Sequence, residues 1–505
     1  MRRIIEVVLA GGLLTGCMLG PDYRPPRTDV PGNWTEHPAT PEELARTRDQ
    51  LRAWWAAFND PILDQLVQRA IDGNLDLQIA GQRLLSAHDV RDEVAAQLAP
   101  QVDTVDQAGI QRFSTTLQYP PLPGISSSNR LWAPGFSASW ELDVFGRIRR
   151  SIEAQDDELG ADIEARRGML VAILGELVDD YVTLRATQRQ IAIARQNIKT
   201  ARQALDLANR VFTEGLGTNL QVAQAQAELE TEQSSLPPLQ TRVAQLAHAI
   251  GVLLGEMPGS VEAMLETPAP YPTVPALPVT LPSMVIANRP DIRRAERQYA
   301  EATARIGVAV AQLYPDFSLP LSLGLQSSMI HELLAADSLA FQLVLSAAQP
   351  LYHGGRLSAQ VRQARAEAEA GRLAYRQTVL TAFREVEDRL VAYRNDRLRD
   401  VTLRRAAADN ALALDRARRL YAAGLVGFLD VLTAERATLQ SQDLAALGDL
   451  AELTDAVALY TALGAGWQGV PLTATQLPVD VTTQHTLAQH GWLNHAGHLP
   501  SEVLP

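Results

Sequence analysis

VFTEGLGTNLQVAQAQAEL, residues 211–229, is echoed by LYAAGLVGFLDVLTAERAT, residues 420–438, with Gly215 over Gly424, Leu220 over Leu429 and Val222 over Val431. A second pair, IDGNLDLQIA (71–80) and IANRPDIRRA (286–295), keeps the same order, and Pro100 falls opposite Pro315. Self-similarity at a fixed period marks a repeated supersecondary unit, so the chain reads as two copies of one unit roughly 210 residues apart.

Each copy carries the same succession of patterns. In the first, a helical stretch from about Asn74 to Ala99 ends at Pro100, which cannot continue it. Phe113, Thr115, Leu117 and Tyr119 then alternate with polar residues, and after the turn-rich PPLPGISSSN the alternation resumes at Phe136, Ala138, Trp140, Leu142 and Val144. In the second copy Phe317, Leu319, Leu321, Leu323 and Leu325 share one face, and Leu339, Phe341, Leu343, Leu345 and Ala347 repeat it. A period of two predicts strands.

A long helix is expected after each hairpin. Leu170, Leu177, Leu184, Ile191, Ile198, Leu205 and Phe212 recur at seven-residue intervals, and no proline interrupts 147–212. Such a repeat makes helices supercoil. At 1.5 Å per residue the element rises roughly 100 Å. Two shorter helices, about Asn74 to Ala99 and Leu220 to Leu254, together match it in length, with Pro237 and Pro238 expected to break or kink the second. In the other copy a helix from about Ser283 to Tyr314 and one from Phe428 to Leu463 would lie along the long helix from Gly355 to Tyr421. The expected layout is therefore a lipidated N-terminal and equatorial segment at 17–72, a first repeat at 73–255 (hairpin 102–145, long helix 147–212, tip 213–219) and a Pro-rich linker at 256–282. The second repeat follows at 283–464 (hairpin 316–352, long helix 355–421, tip 422–428), then a tail at 465–505.

The compartment follows from the N-terminus. Arg2 and Arg3 precede an apolar run too short to span a bilayer, and the chain's single cysteine closes the string Leu14-Thr15-Gly16-Cys17. This resembles a lipobox, so residues 1–16 are read as a signal peptide and Cys17 as the acylated residue; each buried CH₂ adds about 0.8 kcal/mol of membrane affinity. Met18 where a retention Asp could stand favours the outer membrane. The net charge of −13 argues against nucleic acid.

No later apolar run suits a membrane helix, so a route through lipid must use strands. Four strands per chain cannot close, because open edges in lipid leave backbone groups unsatisfied and barrels generally begin at about eight strands. Three chains would supply twelve, and a symmetric trimer is the economical closure. The fold class is thus mainly α with a membrane β-barrel: a duplicated α/β unit whose trimer forms a 12-stranded β-barrel continuous with a long α-helical coiled-coil barrel. The competing reading is a periplasmic coiled-coil lipoprotein with a structural or adaptor role, which would need no lipid-facing strands.

GPDYRPP after Cys17, WWAAFNDPILDQLVQRAI (54–71), WELDVFGR (140–147), LPPLQ, NRPDIRRAE (288–296), YAAGLVGFLDVLTAE and ALGAGW (462–467) resemble the outer membrane factor family, the TolC-like channels, in its NodT-type lipoprotein branch. The resemblance implies a homotrimeric exit duct of a tripartite efflux pump in the outer membrane, partnered by a periplasmic adaptor and an inner-membrane transporter of the RND type. Metal-ion efflux and type I protein secretion use the same tube. It also implies no enzymatic activity and no cofactor beyond covalent lipid, and the sequence carries no Walker motif and no HExxH.

Site residues follow from the same likeness. Gly215-Leu216-Gly217-Thr218 and Gly424-Leu425-Val426-Gly427 match the adaptor-docking tips. Asp430 matches a constriction aspartate, of which three copies would make a cation-attracting ring; the simpler reading is a helix-start carboxylate favoured by the dipole. Leu425 and Leu429 match pore-narrowing positions, and Thr433 stands where many members carry a second carboxylate. Tyr421 and Gln221 are candidates for a bond between tips that holds the closed state. His485, His490, His495 and His498 share no helical face and read as a polar tail, not a metal site.

Overall fold

The computed structural model describes residues 18–36, 51–112, 128–266, 271–275 and 280–470. Cys17 with its lipobox, the alternating segment at 113–119 and the four tail histidines lie outside these residues. After a short 3₁₀ turn at Trp54–Phe58 come α1 (Pro61–Gly73) and α2 (Leu75–Ala96), then strands β1 (Gln101–Thr104), β2 (Gln107–Arg112), β3 (Ser128–Ala133), β4 (Gly135–Ser139) and β5 (Glu141–Leu142). Helices α3 (Arg147–Thr213) and α4 (Asn219–Leu253) complete the first repeat, and α5 (Glu262–Glu266) lies between repeats. The second repeat holds α6 (Pro282–Asn288), α7 (Pro290–Ala311), β6 (Asp316–Ser318), β7 (Leu321–Leu325), β8 (Leu339–Leu343), β9 (Ser346–Ala348), α8 (Arg356–Ala422) and α9 (Phe428–Ala462). Corresponding helices have identical lengths: α2 and α7 have 22 residues, α3 and α8 have 67, α4 and α9 have 35. Among the described residues no helix is long and apolar enough to cross a membrane.

Two compact units divide the chain. One, residues 1–27, 84–162 and 294–376, contains all the strands found among the described residues. Its main sheet has the order β1-β4-β7-β8, antiparallel throughout. Register sorts the faces. Val102, Ala138, Leu321 and Leu343 form one cross-strand row, and Thr104, Phe136, Leu323 and Phe341 another on the same face. The intervening row is Asp103, Ser137, Ser322 and Gln342. Phe341 is 75 % exposed and Leu343 60 %, so the apolar face is uncovered in a single chain. The outer edges of β1 and β8 have no strand partner among the described residues.

The other unit, residues 28–83, 163–293 and 377–505, is helical. Leu170, Leu174, Leu177, Val178, Tyr181 and Leu184 of α3 are buried, and Trp54 stacks on Tyr460 with ring centroids 5.1 Å apart. The heptad expected from the sequence holds only as far as Leu184. Beyond it Ile191, Ile198 and Leu205 are half-exposed and Phe212 exposed, while Ala194, Asn197, Ala201, Ala204 and Ala208 are buried. Their alternating three- and four-residue spacing is a seam of small side chains, which permits close helix approach.

Two expectations are corrected. The helix read as continuous over 283–314 is interrupted at Arg289, whose ψ of 120° is extended because Pro290 clashes with a helical predecessor. Asn74, between α1 and α2, is extended in the same way with ψ of 126°. These are equivalent positions in the repeat, and their side chains act alike: Asn74 Nδ2 donates to Leu253 O at 2.8 Å, and Arg289 Nη1 to Ala462 O at 2.8 Å. Each satisfies the carbonyl end of its return helix. Conversely, α4 is not broken at Pro237 and Pro238. The carbonyls they deprive of partners belong to Gln233 and Ser234, both exposed in this chain and open to water.

Both return helices end in a Schellman turn, with Glu256 N to Gly251 O and Gly255 N to Val252 O in one, Ala465 N to Tyr460 O and Gly464 N to Thr461 O in the other. Gly255 has φ of 73°, and a Cβ there would lie 2.2 Å from Gly73 O. Gly255→Ala should therefore destabilise the protein by at least the roughly 1–3 kcal/mol of a strained left-handed residue, seen as a lowered midpoint in thermal unfolding followed by circular dichroism.

Candidate functional site

The two helix reversals are built alike. In the first, Leu216 N donates to Val211 O and Gly215 N to Phe212 O, both at 3.0 Å; in the second, Leu425 N donates to Leu420 O and Gly424 N to Tyr421 O, both at 2.9 Å. The left-handed residue each Schellman turn requires is Gly215 (φ 74°) or Gly424 (φ 72°). The return helix then starts with its third residue reaching back. Gln221 Oε1 accepts from Thr218 N at 3.0 Å, and Asp430 Oδ2 accepts from Gly427 N at 2.9 Å. Gln221 and Asp430, assigned separate roles from the sequence, thus occupy one repeat position and do the same local work.

These turns leave four leucines in solvent. Leu216 is 79 % exposed and Leu425 71 %, and Leu220 and Leu429 stand on the first turns of α4 and α9, also exposed. Val426 is half-buried, short of the exposed position expected, and Gly217 is likewise half-buried. The reversals are joined through Phe428, which is buried against Ala208 and Ala225 with Leu205, Val222 and Tyr421 around it. Tyr421 contributes its ring, 5.7 Å from that of Phe428. Thr433 is exposed and its hydroxyl donates to Leu429 O at 2.8 Å.

Behind the tips lies a charge system that the sequence reading missed. Asp449 accepts from Arg189 Nη1 at 2.6 Å and Arg404 Nη2 at 2.6 Å, and Arg404 also meets Asp400. Arg436 holds Glu228 at 2.7 Å. Glu435 is buried with neither carboxyl oxygen hydrogen-bonded, and its nearest cation is Arg418 at 3.6 Å. Burial, with Glu228 adding, raises its pKa against the pull of Arg418. Asp400 is pushed up to about 6, first by burial and then by the hydrogen bond to Asp449. Asp455 is also pushed up to about 6, by burial and by Asp396. The signal in the sequence was the run of acids Glu435, Asp449, Glu452 and Asp455 along α9, of which the first three are buried. Among the described residues no group of three His, Cys, Asp or Glu could hold a metal ion.

A raised carboxyl pKa means that ionisation opposes folding: the neutral acid's contribution is intact below the ordinary carboxylate range and is lost as pH rises through about 6 for Asp455. Asp455→Asn should accordingly stabilise the protein above pH 6, by about 1 kcal/mol once partial exposure is allowed for. Near pH 4 it should change little, as thermal unfolding across that range will show.

Residues 66–256 and 281–465 each match the family model described as outer membrane efflux protein, so the duplication is itself a family feature. The chain is 32 % identical over 461 residues to Nodulation protein T of Rhizobium leguminosarum bv. viciae, covering 90 % of this chain and 92 % of the relative. It is 30 % identical to the toluene efflux pump outer membrane protein TtgC of Pseudomonas putida, covering 92 % and 96 %. Among solved structures, the outer-membrane channel OprN superposes with a TM-score of 0.81 at 33 % identity, over 90 % of this chain and all of that one. CusC superposes with a TM-score of 0.77 at 26 % identity, over 89 % of this chain and all of that one. With an amphipathic sheet, two glycine-turned helical tips and family matches across both halves, the chain belongs to the outer membrane efflux protein family, whose members are channels and not enzymes.

Proposed function

We propose that this outer membrane efflux channel works as a homotrimer, the exit duct of a tripartite pump. Three four-stranded sheets would close one twelve-stranded barrel in the outer membrane. The helical tips would receive substrates from an inner-membrane transporter of the RND type through a periplasmic adaptor. The observation that carries this reading is the four-stranded sheet with one uncovered apolar face and two edges that have no strand partner among the described residues: stable in lipid only if the edges are paired, soluble only if the face is covered. A periplasmic coiled-coil lipoprotein would have no use for it.

The exposed Leu216, Leu220, Leu425 and Leu429 supply the apolar contacts an adaptor would take up. Asp430 and its copies would face one another at the constriction, with Thr433 and the leucines Leu425 and Leu429 beside them. Tyr421 and Gln221 would act between chains only through groups left over from their contacts within one, the Tyr421 ring on Phe428 and the Gln221 Oε1 cap on Thr218 N. The lipid on Cys17 would lie close to the sheet. Leu19 N donates to Phe145 O at 3.3 Å, and the buried Arg150 grips Leu19 O and Asp22.

Detergent-purified protein in a planar bilayer should give discrete, low, cation-selective openings, and Asp430→Ala should enlarge them or abolish the selectivity. Openings indifferent to the substitution would move the gate to Leu425 and Leu429, and no conductance from folded protein would overturn the channel. Metabolic labelling with palmitate should mark the wild type and leave Cys17→Ala unlabelled.

A further inference from the structure

A cavity of about 620 Å³ opens where the end of α9 packs against the start of α7, with α3 and α8 as its walls. All of it lies in the helical unit. Its floor is apolar, from Val171 of α3 and Val457, Ala458 and Ala462 of α9. The volume is that of a small-molecule site, for which roughly 300–1,000 Å³ is usual. Glycine makes the room. Gly168 and Gly175 line the α3 wall, whereas the corresponding residues of α8, counted from the matched helix starts Arg147 and Arg356, are Gln377 and Arg384. A Cβ at Gly175 would lie 2.8 Å from Thr461 Oγ1, so α3 and α9 approach closely only in its absence.

Four carboxylates face two guanidiniums in the lining. Arg289 is already held by Asp291 at 2.7 Å and Glu385 at 2.8 Å, and Arg389 acts on Asp455 outside the cavity. Glu176 and Asp179, one turn apart on α3, form no ion pair among the described residues. Burial raises the pKa of Asp179 against the pull of Arg242, and Asp180 beside it is pushed up to about 6, first by burial and then by Glu176 and Asp179. The wall therefore carries negative charge that the protein leaves uncompensated, above an apolar floor.

The cavity opens on the face of α3 opposite its buried face. Leu174 and Tyr181 pack against the segments at 51–73 and 464–467: Tyr181 donates to Asp60, and a Cβ on Gly466 would lie 3.1 Å from Leu174 Cδ1 and 3.0 Å from Trp54 Nε1. Glu176 and Asp179 each stand two residues from these, about 200° round the helix. A conduit cannot hold those packed segments inside it, so in the channel proposed above the cavity would face the passage.

We propose that this cavity binds organic cations, with the apolar body seated on Val457 and Ala458 and the positive charge held by Glu176 and Asp179. An anion would find both arginines already engaged. A bare metal ion would find two carboxylates on one helix face, too few ligands to hold it. The role in transit rests on the channel reading. The cavity itself is complete in one chain, so binding is measurable without conductance.

Ethidium titrated into the full chain in non-ionic detergent, followed by fluorescence anisotropy, tests this. Saturable binding is expected, with fluorescein, an anionic dye of similar size, bound at least about tenfold more weakly. Glu176→Gln with Asp179→Asn should weaken ethidium binding about tenfold while keeping the cavity's shape. Ala172→Trp, which fills the cavity from an exposed position on its wall, should weaken it at least as much. Circular dichroism establishes that each variant is folded. Ethidium binding unchanged in either variant overturns the site, as does fluorescein bound as tightly or no saturable binding by the folded wild type. Loss of binding in Asp430→Ala would place the dye at the tips and overturn the site as well. Conductance in a planar bilayer without ethidium binding removes the site and leaves the channel; binding without conductance leaves the site and removes the channel.

Discussion

A backbone amide or carbonyl facing hydrocarbon without a partner costs several kcal/mol, and the rest of this molecule is arranged around that penalty. The chain has apolar residues enough for one membrane-facing surface but strands enough for only part of a barrel. Its sheet presents Phe136, Leu321, Leu323, Phe341 and Leu343 outward and leaves β1 and β8 with open edges. In a soluble protein such edges are a liability that bulges, charges or covering loops remove. In the proposed trimer each edge would be paired by a neighbouring chain, and the duplication visible as paired matches to one family model makes the two hairpins of the sheet alike.

The same duplication governs the helical part. Each repeat turns its long helix with a Schellman glycine, starts the return helix with a side-chain cap on the third residue, and ends it in a second Schellman turn. Where the return helix ends, the backbone is packed against the break between the preceding helices, with Gly255 against Gly73 and Gly464 against Arg289. Asn74 in one repeat and Arg289 in the other reach the terminal carbonyls of the return helices. The two side chains are chemically unlike, yet each solves the same problem of an unsatisfied helix end. Arg289 is the more elaborate, holding Asp291 and Glu385 as well.

Between the repeats' helices, stability is divided between small side chains and charge. The alanine seam of α3 lets helices approach, and the carboxylates of α8 and α9 are paired with arginines on one side and with one another on the other. Buried ion pairs contribute little net stability when compared with apolar packing. They do resist register shifts, because a displaced helix would strand Asp449 or Glu228 away from its arginine.

Much of this was written in the sequence by itself. Strict alternation at 136–144 and 317–325 can only be a two-faced strand, and the glycines of the two echoed motifs mark turns, since their period and steric freedom act locally. The first long helix was equally legible from its proline-free run of apolar residues seven apart, although only the part as far as Leu184 buries them. Tertiary structure decided the remainder. The buried seam passed from leucine to alanine beyond Leu184 because helix spacing, not hydrophobicity, selects residues there. Pro237 and Pro238 stayed inside a helix where the residues whose carbonyls they orphan, Gln233 and Ser234, are exposed, whereas Pro290 ended one through the strain it places on Arg289. Gln221 and Asp430 proved to be one structural position only once both caps were seen in place, for a side chain's partner is fixed by where the backbone puts it.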